Sequence, residues 1–527
     1  MKSQLTHRWA LPPTWLRFLV IVLLALGIYF RFVNLDRKVY WHDETITSLT
    51  VAGYTAEGDL KQQLFNGDVI GVEDLHKYQY PTAKKSFLDT LNVLITKDPQ
   101  HPPTYYMMVR LGMHWFNNPV VVSRGVAALI SLLVFPCIYW LCLELFGSSL
   151  IGWVAIALMT VSPVHVVFAQ EAREYSLWMV AILLSSALLL RAMRLQTKVS
   201  WGTYAVSLAF GLYSFPLVGL TAIGHFIYVA TIARFRWSKT VAAYLLATLA
   251  GILAFAPWIW VILNGLSQAR SSTSWSSTQV SLLRLVKSWA GNISRVFFDI
   301  NLDAKAPAIY TIPSVLILLT LVGYAVYFIC REAPKQVSLF ILILIGVPAL
   351  TFILPDLIVG GMRSTVPRYL IPCYLGILLM VAYLIGNQIV SPNFFQQKFW
   401  QFITTLLISA GIVSCIVSSN SQVWWNKSPS NINVQIAKMI NQTERPLLVS
   451  TFYESNGGEL LSLSYLLDKK VQLQLVSEPN IPKIPQGFSD IFIFSPSKNL
   501  KFGIEKDYNS SLEPIQLSEP WLWKLKK

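Results

Sequence analysis

LRFLVIVLLALGIYFRFV, residues 16–33, is an apolar run long enough to cross a lipid bilayer, and the polar stretch NLDRKVYWHDETITSLT, residues 34–50, follows it without a break. A spanning helix needs about 20 predominantly apolar residues at 1.5 Å each. The basic start MKSQLTHR resembles a signal peptide, yet no small-residue cleavage site follows, so the segment reads as an uncleaved signal anchor. Further runs lie at 120–145, 149–168, 175–193, 200–215, 217–233, 240–263, 309–330, 337–354, 369–386 and 401–419. The expected fold class is therefore a polytopic α-helical membrane protein with about eleven transmembrane helices, within about 10–13.

Composition agrees. Of 527 residues, 54% are hydrophobic and 13% charged, roughly half the 25% charge of a soluble protein. The 18 Trp and 22 Tyr suit helix ends at membrane interfaces. A net charge of +15 would raise nucleic acid as a partner, but no helix-turn-helix, zinc-finger or RNA-binding pattern is present, and cytoplasmic loops are ordinarily rich in Lys and Arg. All five cysteines lie in apolar stretches, which implies neither a disulfide framework nor a metal site.

The most basic short loops, RAMRLQTK (191–198), RFRWSK (234–239) and REAPK (331–335), are expected in the cytoplasm together with the N-terminus, which carries Lys2 and Arg8. That count holds only if TYYMMVRLGMHWF, residues 104–116, does not cross the bilayer, so an interfacial helix is expected there. The first large loop (34–119), the short loop near 168–175, the loops 264–308 and 355–368 and the C-terminal segment then share the non-cytoplasmic side. From residue 420 the apolar runs shorten to strand length in PLLVST, VQLQLV and DIFIFS, preceded by the helical NVQIAKMINQ. A transmembrane domain over 1–419 and a small α/β outer domain over 420–527 are expected.

Four segments could carry chemistry. In WHDET (41–45), Asp43 and Glu44 are an adjacent carboxylate pair. The structural alternative is that Asp43 caps a helix and Glu44 favours the positive end of its dipole. In FAQEAREYSLW (168–178), a helical turn would set Glu171, Glu174 and Tyr175 beside Gln170 and Arg173. Charges so close to the bilayer are costly unless paired or in a watery cavity. In KDPQHPPTYY (97–106), consecutive prolines would hold His101 in an extended approach to Tyr106, with Lys84, Lys85 and Lys97 nearby in sequence. In GGMRSTVPRYLIP (360–372), Arg363 and Arg368, the latter beside Tyr369, are either snorkelling side chains or a phosphate clamp.

WHDET, HPPTYY, VSRGVAALIS (122–131), SPVHVVFAQEAREYSL (162–177) and PRYLIP (367–372), in that order, resemble the family-39 type of GT-C glycosyltransferases. These include protein O-mannosyltransferases, lipid A aminoarabinose transferases and bacterial RgtA/B/C/D-like enzymes, and the QEARxYSL and HPPxYY motifs most resemble the last group. The resemblance covers residues 15–390. It implies an acceptor-activating acid at Asp43, with Glu44 its neighbour, and a second-loop acid at Glu171 with Arg173 and Tyr175 in the same motif. A basic residue that contacts the lipid phosphate in lipid A transferases is replaced here by His101, and Arg368 is the preferred substitute or partner. The implied partners are a polyprenyl-phosphate sugar, membrane lipid and a lipid, glycan or protein acceptor, in a bacterial plasma (inner) membrane. No cofactor is expected: a divalent cation shared by Asp43 and Glu171 is the disfavoured alternative, and no HExxH-like spacing supports a metal.

The expected reaction is an inverting transfer to a hydroxyl at the non-cytoplasmic face. A lipid-linked oligosaccharide flippase would show inverted repeats or interrupted helices at midplane, whereas here the ionisable residues concentrate at one interface. A polysaccharide polymerase or ligase fits less well because the large loop comes so early in the chain.

Overall fold

The long apolar runs between residues 16 and 419 are mainly helical in the computed structural model, which describes residues 14–116, 118–301, 308–452, 456–515 and 521–526. Among these residues, seven helices are long and apolar enough to cross a membrane: Pro119–Phe146, Tyr175–Leu195, Lys239–Asn264, Ile312–Glu332, Lys335–Ile358, Pro367–Gln388 and Phe394–Asn420. Counting the bent pair Ser149–Val161 and Pro163–Ala169 as one span makes eight. The expected eleven are not all of spanning length: Val218–Ile232 has 15 residues and Lys198–Ser214 has 17. Lys2 and Arg8, part of the orientation argument, lie outside the described residues.

The chain divides into two compact units. The first comprises residues 1–33, 98–105 and 124–420 and holds the long helices. Its central helices, Tyr175–Leu195 and Pro367–Gln388, are apolar all round and almost wholly enclosed. Peripheral ones turn apolar side chains outward, as Leu246, Leu249, Leu253 and Trp260 do on Lys239–Asn264. A surface of that kind needs a lipid solvent.

Helix contacts in this unit depend on small residues. A Cβ at Gly411 would lie 2.5 Å from the Val161 carbonyl oxygen, so Gly411 sets how closely Phe394–Asn420 approaches Ser149–Val161. Gly411→Ala is expected to lower stability by about 1–3 kcal/mol. Gly125→Ala, where a Cβ meets nothing within 4 Å, leaves the thermal midpoint in detergent unchanged or raised.

The break at Ser162–Pro163 bends the chain by 64°, because proline has no N–H to continue the ladder. The backbone groups freed there find partners. Arg31 donates to Thr160 O (3.1 Å) and Met159 O (3.1 Å), and Val164 N donates to Arg295 O at 3.1 Å. The short leg Pro163–Ala169 then runs into residues 170–174.

The second unit comprises residues 34–97, 106–123 and 421–527. Its sheet contains β1 (Asn66–Gly71), β2 (Pro446–Thr451), β3 (Gln472–Val476), β4 (Asp490–Phe494), β5 (Leu512–Pro514) and β6 (Leu522–Leu525), in the order β1-β3-β2-β4-β6-β5. Strand β2 pairs in parallel with β3 and β4, while β1, β6 and β5 are antiparallel additions at the edges. Alternation in PLLVST sends Leu448 to one face and Leu447 and Val449 to the other, and both faces are covered. Leu448, Leu473 and Phe492 share one core with Leu49, Leu60, Leu64 and Leu75. The first polar stretch and the C-terminal segment are thus one folded body. The helix expected at 104–116 is present as Pro103–Trp115, about 20 Å long and short of a span.

Candidate functional site

WHDET opens the helix His42–Ala52 with Trp41 at the N-cap. Asp43 is therefore inside the first turn and does not cap it. Glu44, at the third helical position, reaches back to the Trp41 N–H at 3.4 Å, which satisfies one of the donors a helix leaves orphaned at its start. Its Oε2 also accepts from Lys427 Nζ at 2.9 Å, and both side chains are sealed from solvent. Glu44 is thus tied into a buried ion pair, whereas Asp43 is only partly buried. In the same unit Lys85 is engaged with Asp59 at 3.2 Å and lies over the Tyr54 ring, Lys84 is exposed, and Tyr106 is buried.

The other candidates fall in the helical unit. Residues 170–174 form a tight bend between Pro163–Ala169 and Tyr175–Leu195. The expected helical turn with an acidic stripe is absent, because Gln170 instead closes the end of the first long helix. Its amide donates to Phe30 O (2.9 Å) and Val33 O (3.0 Å). The bend turns Glu171, Arg173 and Glu174 inward, and all three are buried. Tyr175 packs edge-on against Phe168.

His101 joins this cluster from the Pro-rich approach. Arg173 Nη2 lies 2.9 Å from His101 Nε2, and His101 Nδ1 lies 2.6 Å from Glu174 Oε1. A guanidinium only donates, so Nε2 must accept and the proton on Nδ1 points to Glu174. The imidazole thereby bridges cation and carboxylate, and both its nitrogens are used. Burial alone would raise the Glu174 pKa, but the Arg173 charge and then the electrostatic and hydrogen-bond effects of His101 hold it at about 2. A carboxylate held that low is a poor proton acceptor. The approach expected to be extended is instead a turn, closed by the His101 N–H donating to Asp98 O at 3.0 Å; Phe215 stacks on His101, and Trp258 donates to Pro99 O at 3.1 Å.

A second cationic group lies at residues 356–369. Arg363 donates to Asp356 Oδ1 (3.2 Å) and Ser277 Oγ (2.6 Å), and Asp356 Oδ2 accepts from Ser364 N and Oγ, each at 2.7 Å. Arg363 is thus engaged by a buried carboxylate. Arg368 is partly buried against the rings of Trp275 (5.4 Å) and Tyr369 (5.6 Å), and Tyr369 stacks on Phe352.

Sequence reasoning missed Arg295, which links the two groups. It donates to Asn292 Oδ1 at 2.6 Å, Asn292 donates to Thr365 O at 3.1 Å, and the Arg295 carbonyl caps Val164. Pro163–Ala169, seven residues or about 10 Å long, therefore runs from Arg295 toward Arg173. The visible signal was a basic residue directly after the amphipathic helix Leu282–Ser294. Among the described residues, no three His, Cys, Asp or Glu side chains are arranged to hold a metal ion.

Residues 100–260, which contain both HPPTYY and QEAREYSL, match the family model described as dolichyl-phosphate-mannose-protein mannosyltransferase. The fold is that of ArnT from Cupriavidus metallidurans. Its structure bound to undecaprenyl phosphate gives a TM-score of 0.53 at 10% identity over 97% of each chain. The apo structure gives 0.50 at 11% over the same shares. The oligosaccharyltransferase AglB from Archaeoglobus fulgidus, in complex with an inhibitory peptide and a dolichol-phosphate, gives 0.48 at 10%, covering 88% of this chain and 64% of that one. A search of curated protein sequences finds no significant match. The resemblance drawn from the motifs, to GT-C glycosyltransferases of the protein O-mannosyltransferase type, is borne out in the fold and in residues 100–260, and the chain is an integral membrane protein.

Proposed function

We propose that the protein is a membrane glycosyltransferase. It moves a sugar from a polyprenyl-phosphate donor to a hydroxyl of a lipid, glycan or protein acceptor at the non-cytoplasmic face, inverting the anomeric centre. The observation that carries this reading is the fold shared with undecaprenyl-phosphate-bound ArnT along 97% of both chains, with the family match falling on the segment that holds His101, Arg173 and Glu174.

As the bond from the anomeric carbon to the phosphate oxygen breaks, positive charge develops on the sugar and its electron pair leaves with the phosphate. That leaving group is already a stable anion, so a cation suffices and neither a general acid nor a divalent metal is required. We assign this role to Arg368, whose planar fork suits phosphate. Arg363 and Arg173 are committed to Asp356 and to the His101–Glu174 bridge. The acceptor hydroxyl must lose its proton as its oxygen attacks, and we assign that proton to Asp43. Of the adjacent pair, Asp43 is the partly exposed member, while Glu44 is consumed by Lys427. Glu171 and Glu174 remain buried, and we give them the role of shaping the donor side. Lys84 and Lys85 have no part in this reading.

Mass spectrometry of lipid-linked sugars and surface glycans, with and without the gene, tests it. The expected result is an accumulated polyprenyl-phosphate sugar together with a glycan lacking that sugar. Unchanged pools of both would overturn the assignment.

A further inference from the structure

The helix start that carries Asp43 is clamped by residues more than 380 positions away in the C-terminal segment. The His42 N–H donates to Ser430 Oγ at 3.0 Å, and Thr45 Oγ1 donates to Gly458 O at 3.0 Å. Glu459 is buried, with Oε1 accepting from Ser430 Oγ at 3.0 Å and Oε2 from Asn433 Nδ2 at 3.1 Å. Its Oε1 lies 3.7 Å from His42 Nδ1. Gly458 leaves no slack, since a Cβ there would sit 2.4 Å from the His42 ring nitrogen. Burial raises the Glu459 pKa, the neighbouring Asp43 charge adds to that rise, and His42, Ser430 and Asn433 oppose it. Asp43, His42 and Glu459 thus share one electrostatic neighbourhood, with the Glu44–Lys427 pair on the same turn.

We propose that Glu459 and Gly458 are positioning residues that fix His42, and with it the first turn presenting Asp43 to the acceptor. The inference rests on Asp43 being the acceptor base. It makes the C-terminal segment part of the catalytic apparatus, where the family motifs stop far earlier in the chain. A carboxylate paired with an imidazole beside a base holds one side-chain arrangement, and misplacement of a catalytic group by about 1 Å can cost a hundredfold in rate.

The test uses the full-length protein in detergent, with the lipid-linked sugar that accumulates in cells lacking the gene as donor and the sugar-deficient glycan from the same cells as acceptor. Release of undecaprenyl phosphate measures turnover, and binding of undecaprenyl phosphate alone measures the donor site. Glu459→Gln and His42→Gln are each expected to lower kcat about tenfold to a hundredfold, with undecaprenyl phosphate binding and the donor KM unchanged. The double variant should lose no more than the worse single one, as expected for residues acting through one contact. Partly exposed His42 keeps the test decisive should Glu459→Gln fold poorly. Normal kcat in His42→Gln, or losses that simply multiply in the double variant, would overturn the proposal. Full activity of Asp43→Asn in the same assay would instead remove the reading on which it rests.

Discussion

Asp43→Asn is expected to lower kcat by about 10²–10⁴-fold, the usual contribution of a general base. Donor binding and thermal midpoint should stay near those of the unaltered protein. The amide is isosteric and sits on a partly exposed position of the first helical turn, so little packing is disturbed. What disappears is the anionic carboxylate, basic enough to take the acceptor proton, since an amide oxygen accepts a hydrogen bond but not a proton. The check is turnover against added alkaline pH. A general-base defect is partly relieved as hydroxide or the ionised acceptor substitutes for the carboxylate, whereas a folding defect is not. Retention of full turnover in Asp43→Asn would show that the proton goes elsewhere. Glu44→Gln provides the contrast, since its loss acts on the Lys427 pair and should appear first as a lowered melting temperature.

Glu174→Gln is expected to cost about 3–5 kcal/mol of stability at neutral pH, the range for removing one partner of a buried pair. It removes the Glu174 charge beside Arg173 and replaces the anionic acceptor of the His101 hydrogen bond by a weaker neutral amide oxygen. The pH dependence has a definite sign. The folded-state pKa of Glu174, about 2, lies below its ordinary value of 4.5. Its stabilisation is therefore fully present above 4.5 and is lost as pH falls from there toward 2. The gap in denaturation midpoint between the two proteins should be widest at pH 6–7 and should close on acidification through that window. A gap that persists undiminished near pH 2 would count against the ionised bridge. Trp178 and Trp258, which pack against Phe215 and Pro99 in the same region, provide an intrinsic fluorescence signal for the measurement.

The long helices were legible because lipid imposes a simple requirement, an unbroken apolar run of fixed minimum length, and Lys239–Asn264 or Phe394–Asn420 can be read straight from it. The strands PLLVST, VQLQLV and DIFIFS were equally visible, each a short apolar run between turn residues. Strand β1 was not: NGDVIG contains two glycines and two apolar residues, and it is a strand only because β3 offers it an edge. No local signal can announce such a pairing, so the grouping of residues 34–97 with the C-terminal segment could not be read.

The candidate site divided in the same way. Asp43, His101 and Arg173 stood in recognisable motifs. Their partners did not. Lys427 and Glu459 sit in a segment without motif, and Lys427 is what ties Glu44, and not Asp43, into a buried ion pair. The bend at 170–174 escaped because helical spacing was read through Gln170, whose amide is drawn away to the carbonyls of Phe30 and Val33.

The pairing of Gly67 with Gln474, 407 positions apart, also orders the birth of the molecule. At about 5–20 residues per second, a ribosome delivers the partner strand roughly 20–80 s after the first one has emerged. Every long apolar helix from Pro119 to Asn420 must be made in the interval. Residues 34–97 spend that time with Leu60, Leu64 and Leu75 lacking the surfaces that later cover them, so a chain terminated before residue 472 leaves a greasy, half-built layer for quality-control proteases to find.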